Sequence, residues 1–281
     1  MKMNSANQLK SKIKNLALEK GVDSRVLFRI YMMERFLDRV AQSRYRERFV
    51  LKGGMLISYL VGVSLRTTMD IDTTMRNLPL TEDNVRAFIT DILRIDVQDG
   101  VKFRLIAIEM IMEEADYPGF RVTLEADFDN TKTPVKIDIS TGHTITPDAI
   151  ESSLPVMFSD PITLLAYPVA TVLAEKMQTI LVRTVFNTRM RDFYDLHALR
   201  NVKGWETSDK KELQRAFLRT CETRNSEYLL GDAKTILGVI ASSKTMEERW
   251  ASYQKKSSFV VNPAWDEVIG DAVFFLQLLV S

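Results

Sequence analysis

The spacing of apolar positions predicts a mixed α and β arrangement in the first part of the chain. Apolar residues recur every three or four positions over residues 5–46, which predicts helices with a break at residues 21–23. A short apolar run at residues 49–51 precedes Gly53-Gly54. This combination predicts a strand that leads directly into a helix.

The pattern then alternates between strands and helices before it becomes helical. Residues 65–73 predict a second strand, and Thr81, followed by two acids, predicts the start of a helix. Three further strand-like segments, separated by turn residues, cover residues 103–113, 120–127 and 135–140. Beyond Pro168 the predicted helices cover residues 168–186, 189–200, 208–223, 226–241 and 263–280.

These elements predict an α+β fold, in which a core sheet with helices precedes a helical C-terminal half. The predicted division is into N-terminal helices at residues 1–46, a sheet-containing core at 47–165 and a helical domain at 166–281. The boundary between the last two parts is expected near the prolines of residues 161–168.

Composition narrows the classes of function. Of the 281 residues 46% are hydrophobic and 27% charged, and the net charge is +1, so any nucleic-acid contact requires a local basic patch. The single cysteine, Cys221, excludes a disulfide within the chain. The N-terminal residues lack the apolar core of a secretory signal, and no apolar run is long enough to cross a bilayer. We therefore expect a cytoplasmic location and no membrane partner.

Three aspartates are the main candidates for chemistry. Side chains on a strand alternate between faces, so Asp70 and Asp72 are expected on one face, together with Arg66 and Thr68. Asp138 lies between two isoleucines on a later predicted strand and is expected to face away from them. Two neighbouring strands would then bring the three carboxylates together.

Such a cluster needs cations, since unpaired carboxylates repel one another. Mg²⁺, or Mn²⁺ in its place, is held by carboxylates alongside substrate phosphates, so Asp70, Asp72 and Asp138 are predicted metal ligands. Gly53-Gly54 at a strand-to-helix turn would let backbone N–H groups approach the triphosphate of an NTP, with Arg66 and Thr68 beside it. The alternative is three unrelated surface acids on half-exposed strands.

The helical half contains a second unusual pattern. On a helical wheel Lys176 lies in the middle of an apolar stripe that includes Leu173 and Ile180, and Arg183 lies on the same stripe. In the next helix Asp192 and Asp195 share a face with leucines. One hypothesis is that Lys176 meets a phosphate while one Asp orients or deprotonates the acceptor. The other is a structural ion pair in the core.

The remaining candidates are weaker. His143 and His197 lack partners at metal-ligand spacing, so a zinc site is not expected. Arg183, Arg189 and Arg191 form a modest basic cluster beside the proposed Lys176–Asp192 region. Most such clusters are solvated helix faces, but this one would suit the phosphates of an RNA.

Three segments resemble a known family. They read FVLKGGMLISYLVGVSLRTTMDIDTT, KIDISTGHTITP and YPVATVLAEKMQTILVRTVFNTRMRDFYDLHAL. In order, spacing and flanking residues they are similar to the AbiEii-type abortive-infection nucleotidyltransferase toxins over residues 45–200. The residues that match the family motifs by position are Gly53, Gly54, Asp70, Asp72, Lys176 and Asp192. His143 is a departure, because relatives often carry an acid in that turn.

The resemblance implies a polymerase-β-like catalytic core and a toxin that inhibits growth, partnered by an antitoxin from an adjacent gene. Relatives attach nucleotides to tRNA 3′ ends, and others prefer GTP. The resemblance therefore implies a phage-defence enzyme that transfers a nucleotide from an NTP to an RNA, most simply a tRNA 3′ end, and so blocks translation.

Other classes of function share parts of this pattern. A protein-nucleotidylating enzyme would use the same site with a different acceptor. A metal-dependent nuclease also uses acid clusters, although it needs no triphosphate cradle at Gly53-Gly54. A regulator that binds nucleotide without turnover would have little need of the intact acids and of Lys176.

Overall fold

The computed structural model describes residues 5–111, 119–141, 145–200, 202, 210–256 and 262–280. These residues fold into two compact units. The first unit comprises Met1–Tyr59, Thr67–His143 and Ile150–Ala166, and the second comprises Leu60–Arg66, Thr144–Ala149 and Tyr167–Ser281. The three-part division of the chain stays a prediction. The two N-terminal helices belong to the unit that contains the sheet.

The first unit is built around a mixed sheet. Its strands are β1 (Phe49–Lys52), β2 (Ile71–Met75), β3 (Lys102–Ile111), β4 (Gly119–Phe128), β5 (Thr131–Ser140), β6 (Ile150–Leu154) and β7 (Ile162–Ala166). Its helices are α1 (Ala6–Lys20), α2 (Ser24–Ala41), α3 (Gly53–Val61), whose last two residues belong to the second unit, and α4 (Glu82–Leu93). Among the described residues the sheet has seven strands in the order β3-β4-β5-β2-β1-β7-β6.

The order of the strands places β2 at the centre of the sheet. β2 runs antiparallel to β1 on one side and parallel to β5 on the other. The β4–β5 hairpin turns at Asp129 and Asn130, both with positive φ, which is the conformation of a two-residue hairpin turn. Because that turn fixes the register, every pairing along β4 and β5 follows from it.

One face of the sheet is covered by α2. Inward residues alternate along β5, where Val135, Ile137 and Ile139 are buried. Even charged residues of α2 are buried: Glu34 accepts a hydrogen bond from the backbone N–H of Met157 at 2.9 Å. Burial raises the pKa of Glu34 to about 8, against the smaller opposing effect of that hydrogen bond. The opposite face carries Asp72 of β2 and Asp138 of β5.

The second unit is helical in its described residues apart from short connecting segments. Its helices are α5 (Val169–Arg183), α6 (Met190–Arg200), α7 (Lys210–Thr223), α8 (Leu229–Ala241), α9 (Lys244–Lys256) and α10 (Trp265–Val280). A 3-10 turn, Thr184–Phe186, follows α5. Trp265 at the start of α10 packs against Phe193 of α6, with ring centroids 5.3 Å apart. The ring centroid of Trp250 in α9 lies 6.1 Å from that of Trp265. The predicted α+β class is confirmed.

Several predicted elements differ from those observed. Residues 65–70 are not a strand, because the chain turns after Gly62, where the Leu65 N–H bonds to the Gly62 carbonyl. Strands β6 and β7 were not predicted, since they are short and β6 is largely exposed. Helix α9 was also missed, because its buried side chains are only Met246 and Trp250. Residues 112–113 and 208–209, at the ends of two predicted elements, lie outside the described residues.

Two expectations from composition concern the single cysteine and membrane-spanning segments. Cys221 is buried and free. Among the described residues, every helix is too short or too polar to cross a bilayer.

Candidate functional site

A row of four charged residues, which we call the acid row after its two central aspartates, crosses the centre of the sheet. Asp72 on β2 is the register partner of Asp138 on β5 and of Lys52 on β1. Arg121 on β4 is in turn the partner of Asp138. Directly opposed residues on adjacent strands share a face, so two carboxylates lie side by side with a cation at each end. The predicted meeting of Asp72 and Asp138 on neighbouring strands is confirmed.

Asp72 lies against the start of α3. The backbone N–H of Gly54 donates to Asp72 Oδ2 at 3.2 Å. Burial, then repulsion from Asp70 and Asp138, raises the pKa of Asp72, although the Gly54 hydrogen bond and Lys52 oppose this. The surroundings therefore disfavour the ionised form of Asp72, and a bound cation would stabilise it.

Gly53 permits this close approach. Its φ is +63°, in the left-handed region, and a Cβ at this position would overlap the Asp72 carboxylate. The Gly-Gly pair thus brings the N-terminus of α3 onto Asp72. A triphosphate cradle at Gly53-Gly54 stays a prediction, since the observed partner of the Gly54 N–H is the carboxylate.

Asp70 sits one residue before β2 rather than on the strand. Thr68 Oγ1 donates to Asp70 Oδ1 at 3.1 Å and so orients it. The charge of Asp70 also helps to raise the pKa of Asp72, because the two carboxylates repel each other. Thr68 therefore contacts Asp70, whereas its place beside the triphosphate stays a prediction. The strand on which that prediction was based begins only at Ile71.

Asp138 is held by Arg121. Arg121 donates from Nε to Oδ1 at 2.8 Å and from Nη2 to Oδ2 at 2.7 Å, a two-pronged geometry that favours the ionised pair. These hydrogen bonds raise the pKa of Arg121 further above its usual value, and Asp70 and Asp72 add to the effect. Arg121 is therefore the counterion of the acid row.

Sequence reasoning missed Arg121 and Lys52, although a signal existed. The Asp129-Asn130 turn makes Phe128 the partner of Thr131, and counting back along both strands pairs Arg121 with Asp138. Lys52 follows the apolar run of β1, and its Nζ donates to Ser140 Oγ at 2.7 Å. Each cation lies one strand away from an acid, which the one-dimensional pattern does not display.

The acids of the row, together with Asp70, differ in how well they fit a divalent cation. Among the described residues, no three acid, histidine or cysteine side chains converge closely enough to form a ligand cluster. The bidentate contact with Arg121 occupies Asp138, whereas neither Asp70 nor Asp72 is held by an arginine among the described residues. Asp70 and Asp72 therefore fit Mg²⁺ as it is usually bound, through one or two carboxylates plus substrate phosphates. Asp138 as a ligand stays a prediction, and it requires Arg121 to move.

A buried ion cluster occupies the second unit. Lys176 Nζ lies 2.6 Å from Asp192 Oδ1 and 2.8 Å from Asp195 Oδ2. Burial alone would lower the pKa of Lys176, but the charges of Asp195 and Asp192 outweigh it and the pKa is raised. Both aspartates face inward as predicted. The ion pair given as the alternative is present, and a contact of Lys176 with phosphate stays a prediction.

Arg66 completes this cluster. Its Nε donates to Asp195 Oδ1 at 2.7 Å, and its side chain is 2% exposed. Burial would raise the pKa of Asp195, but Arg66 and Lys176 outweigh it and hold the pKa below its usual value. The Tyr194 hydroxyl donates to the Leu65 carbonyl and fixes the segment that carries Arg66. The prediction that Arg66 shares a strand face with Asp70 is wrong, since residues 65–70 leave the sheet.

The predicted basic cluster is placed on the surface of the second unit. Arg183, Arg189 and Arg191 are exposed, so the expectation that Arg183 lies on the inward stripe of α5 is wrong. Arg189 Nε lies 3.1 Å from Asp192 Oδ2, which links the surface to the buried cluster. His197 pairs with Asp271 at 2.7 Å, and His143 lies outside the described residues.

Comparisons with known proteins give one family and two structural likenesses. A family model described as nucleotidyl transferase AbiEii toxin, type IV TA system, matches residues 35–270. The crystal structure of JHP933 from Helicobacter pylori has a TM-score of 0.49 and 14% identity, covering 92% of both chains. A candidate nucleotidyltransferase from Helicobacter pylori has a TM-score of 0.45 and 15% identity, covering 92% of this chain and 96% of that one. No curated protein matches the sequence.

Proposed function

Because the chain belongs to the AbiEii nucleotidyl transferase toxin family of type IV toxin–antitoxin systems, we propose that it transfers a nucleotide from an NTP to the 3′ end of tRNA in a Mg²⁺-dependent reaction. The family makes the chain a toxin nucleotidyltransferase with an antitoxin partner. The metal, the NTP and the tRNA acceptor are the proposal. Its cellular counterpart is growth arrest in the cytoplasm through blocked translation, as part of phage defence.

The proposal rests on one observation above all. Asp72 and Asp138 are paired across β2 and β5, and the N-terminus of α3 meets Asp72 through Gly54. Acids beside a helix N-terminus offer both a place for a divalent cation and backbone donors for phosphate oxygens. A nuclease has no need of the second part, so the combination favours nucleotidyl transfer.

Asp70 and Asp72 are the residues that would hold Mg²⁺ (or Mn²⁺) together with the triphosphate. When bound, the ion supplies positive charge that neutralises the phosphates and orients them for displacement. Thr68 keeps Asp70 in place through its 3.1 Å hydrogen bond, and Gly54 does the same for Asp72. These second contacts fix the ligands before the substrate arrives.

Lys52 and Arg121 provide the fixed positive charge at the two ends of the row. Lys52 is the neighbour of Asp72, and Arg121 that of Asp138. A triphosphate is strongly anionic, and flanking cations stabilise charge that develops on it during transfer. Arg121 is suited to this role because its planar guanidinium can exchange a carboxylate for a phosphate.

The second-unit cluster is proposed to position the acceptor-binding surface. Asp192 accepts a hydrogen bond from Lys176 on Oδ1, and its Oδ2 forms an ion pair with the exposed Arg189, which is close in sequence to Arg191. These arginines are suited to the phosphates of a single-stranded acceptor end. Direct roles for Lys176 at a phosphate and for Asp192 at the terminal hydroxyl require this ion pair to open.

The experiment that tests the proposal incubates the protein with each labelled NTP, Mg²⁺ and purified tRNA with an intact or periodate-oxidised 3′ end. Label should enter intact tRNA only. Equal labelling of oxidised tRNA contradicts the 3′-end assignment, and label found only in protein would establish protein nucleotidylation instead. Fragmented RNA in the absence of NTP would establish a nuclease. Omitting Mg²⁺ should abolish labelling.

A further inference from the structure

A groove lined by basic side chains lies on the first unit. It runs between α1, α2 and the start of β5 and has a volume of ≈ 570 Å³. Its apolar lining includes Ile13, Phe28 and Pro134. The cations that line it are Lys10, Lys14, Arg25, Arg29 and Lys132, and the described lining residues include no acid.

The cations stand in pairs one helical turn apart. Lys10 and Lys14 lie four residues apart on α1, and Arg25 and Arg29 are spaced in the same way on α2. Side chains at this spacing are neighbours, with Cβ atoms about 5–6 Å apart. Each of the two helices therefore contributes a pair of cations to the groove, beside the apolar Ile13 and Phe28.

Several of these charges lack an anionic partner. Within the described part of the chain, Lys10 and Lys14 have neither an ion pair nor a hydrogen bond, and both are exposed. Arg25 pairs only with the exposed Asp23 at 3.3 Å, a contact worth little in water. Clustered lysines without counterions repel one another, and a bound polyanion would remove that cost.

Arg29 connects the groove to the segment that precedes β2. Its Nε is buried and has no hydrogen-bond partner within the described residues, which is rare for a buried N–H group. Its Nη1 lies 3.8 Å from the sulfur of Met69, the residue immediately before Asp70. A ligand in the groove would thus lie close to the chain that carries the first catalytic acid.

We propose that this groove binds the sugar–phosphate backbone of the RNA acceptor and leads the strand toward Asp70. The inference deepens the proposed function and rests on it. Paired cations beside apolar residues match a single strand, whose phosphates contact the cations while its bases cover the apolar lining. An acidic peptide would satisfy the cations but would leave the paired spacing unexplained.

The test compares two charge-matched double variants. Lys10→Gln with Lys14→Gln removes two groove charges, and Lys234→Gln with Lys244→Gln removes two exposed charges from the second unit. Binding of fluorescent tRNA is measured by anisotropy over a salt series, and the fold is checked by thermal melting. The groove variant should bind tRNA about 10-fold more weakly at physiological salt, with a salt slope lower by about 1.4. The control should match the wild type.

Equal tRNA affinity and salt slope in the groove and control variants would overturn the groove assignment while leaving the transferase activity in place. Conversely, groove-dependent tRNA binding by a wild-type protein that labels no RNA would retain the groove and reject the proposed function. A polyglutamate peptide serves as the competing probe. If the groove variant loses peptide binding but keeps tRNA binding, the groove is a protein-docking surface and the proposal fails.

Discussion

Asp72 and Asp138 are direct register partners on the parallel strands β2 and β5. The two acids are 66 positions apart in the sequence numbering, yet the sheet makes them nearest neighbours on one face. Burial and then the charge of Asp70 raise the pKa of Asp72, and Asp138 adds a smaller effect in the same direction. The pairing therefore places an electrostatic cost at the point where the chemistry is proposed.

Asp72→Asn should abolish transfer and leave the fold intact. Loss of a ligand and of its charge should reduce the rate by at least about 100-fold. The pKa of Asp72 is raised in the fold, so ionisation of Asp72 disfavours the native state as the pH rises. The neutral variant should consequently melt at or above the wild-type temperature at pH 7.

Mg²⁺ provides the control for this variant. Adding Mg²⁺ should raise the melting temperature of the wild type and should have little effect on Asp72→Asn. Near-normal NTP turnover in the variant would show that the metal site is misplaced. A melting temperature well below that of the wild type would mean that the carboxylate stabilises the fold.

Gly53→Ala should be destabilising and inactive. The new Cβ would meet the Asp72 carboxylate, and the φ of +63° costs a residue with a Cβ about 1–2 kcal/mol before the overlap is counted. Gly238→Ala is the matched control, because a Cβ there meets nothing and position 238 lies within α8. Chemical denaturation should show that Gly238→Ala is more stable than the wild type by about 1 kcal/mol. Equal stability of both variants would contradict the described approach of Gly53 to Asp72.

Lys176→Met tests the buried cluster. It leaves Asp192 without a buried partner and removes one of the two cations on Asp195. The expected cost is about 3 kcal/mol, near the low end for a broken buried pair, because Arg66 remains on Asp195.

The matched control for Lys176→Met is Lys234→Met, an exposed change in the same unit that should be close to neutral. Both variants are compared by urea unfolding and by turnover per folded molecule. Wild-type stability together with lost turnover in Lys176→Met would indicate a direct catalytic role. Full turnover in the folded fraction would restrict Lys176 to the structural ion pair.

Arg121→Gln should change metal and nucleotide binding in opposite directions. Removing the counterion of Asp138 makes the acid row more negative, so Mg²⁺ should bind more tightly in the absence of nucleotide. The triphosphate loses a proposed cationic contact and should bind more weakly. Calorimetric titration with Mg²⁺ alone and with an NTP separates the two effects. A parallel change in both affinities would exclude Arg121 from the nucleotide site.

The buried carboxyl group of Glu34 should make the free energy of unfolding depend on pH. Its pKa is about 8 in the fold against an ordinary value of 4.5, so the native state holds a proton that the unfolded chain has lost. Its contribution to stability is complete below pH 4.5 and declines until the pH passes about 8, at up to about 1.4 kcal/mol per pH unit. Glu34→Gln should flatten this decline in urea unfolding measured from pH 5 to pH 9. The exposed control Glu82→Gln should keep the wild-type slope.

The sequence predicts elements well where the hydrophobic period is strong. Inward Asp192 and Asp195 follow from the leucines on their helix face, and Asp138 follows from two flanking isoleucines. The strand before Asp70 was overextended, because alternation in residues 65–70 resembles a strand although Gly62 has already turned the chain. Local patterns do not record such departures from a sheet.

Ion-pair partners that come from distant parts of the chain are harder to predict from the sequence. Arg66 reads as a site residue beside Asp70, but it is neutralised by Asp195, 129 positions later. Arg121 reads as an ordinary exposed strand residue, but the sheet places it on Asp138. In both cases the deciding fact is which opposite charge the fold brings within hydrogen-bond distance, and that fact is three-dimensional.

The hairpin turn at Asp129 and Asn130 makes the pairing of Asp138 with Arg121 unusually sensitive to changes in chain length. Inserting or deleting one residue there would shift β5 against β4 and turn Asp138 into the apolar core. Asp129 also accepts a hydrogen bond from the Ala6 N–H at the start of α1. The same insertion or deletion would therefore remove a contact that holds the N-terminal helix. In the evolution of this protein, substitutions in the hairpin can be absorbed, but indels in this turn should be eliminated.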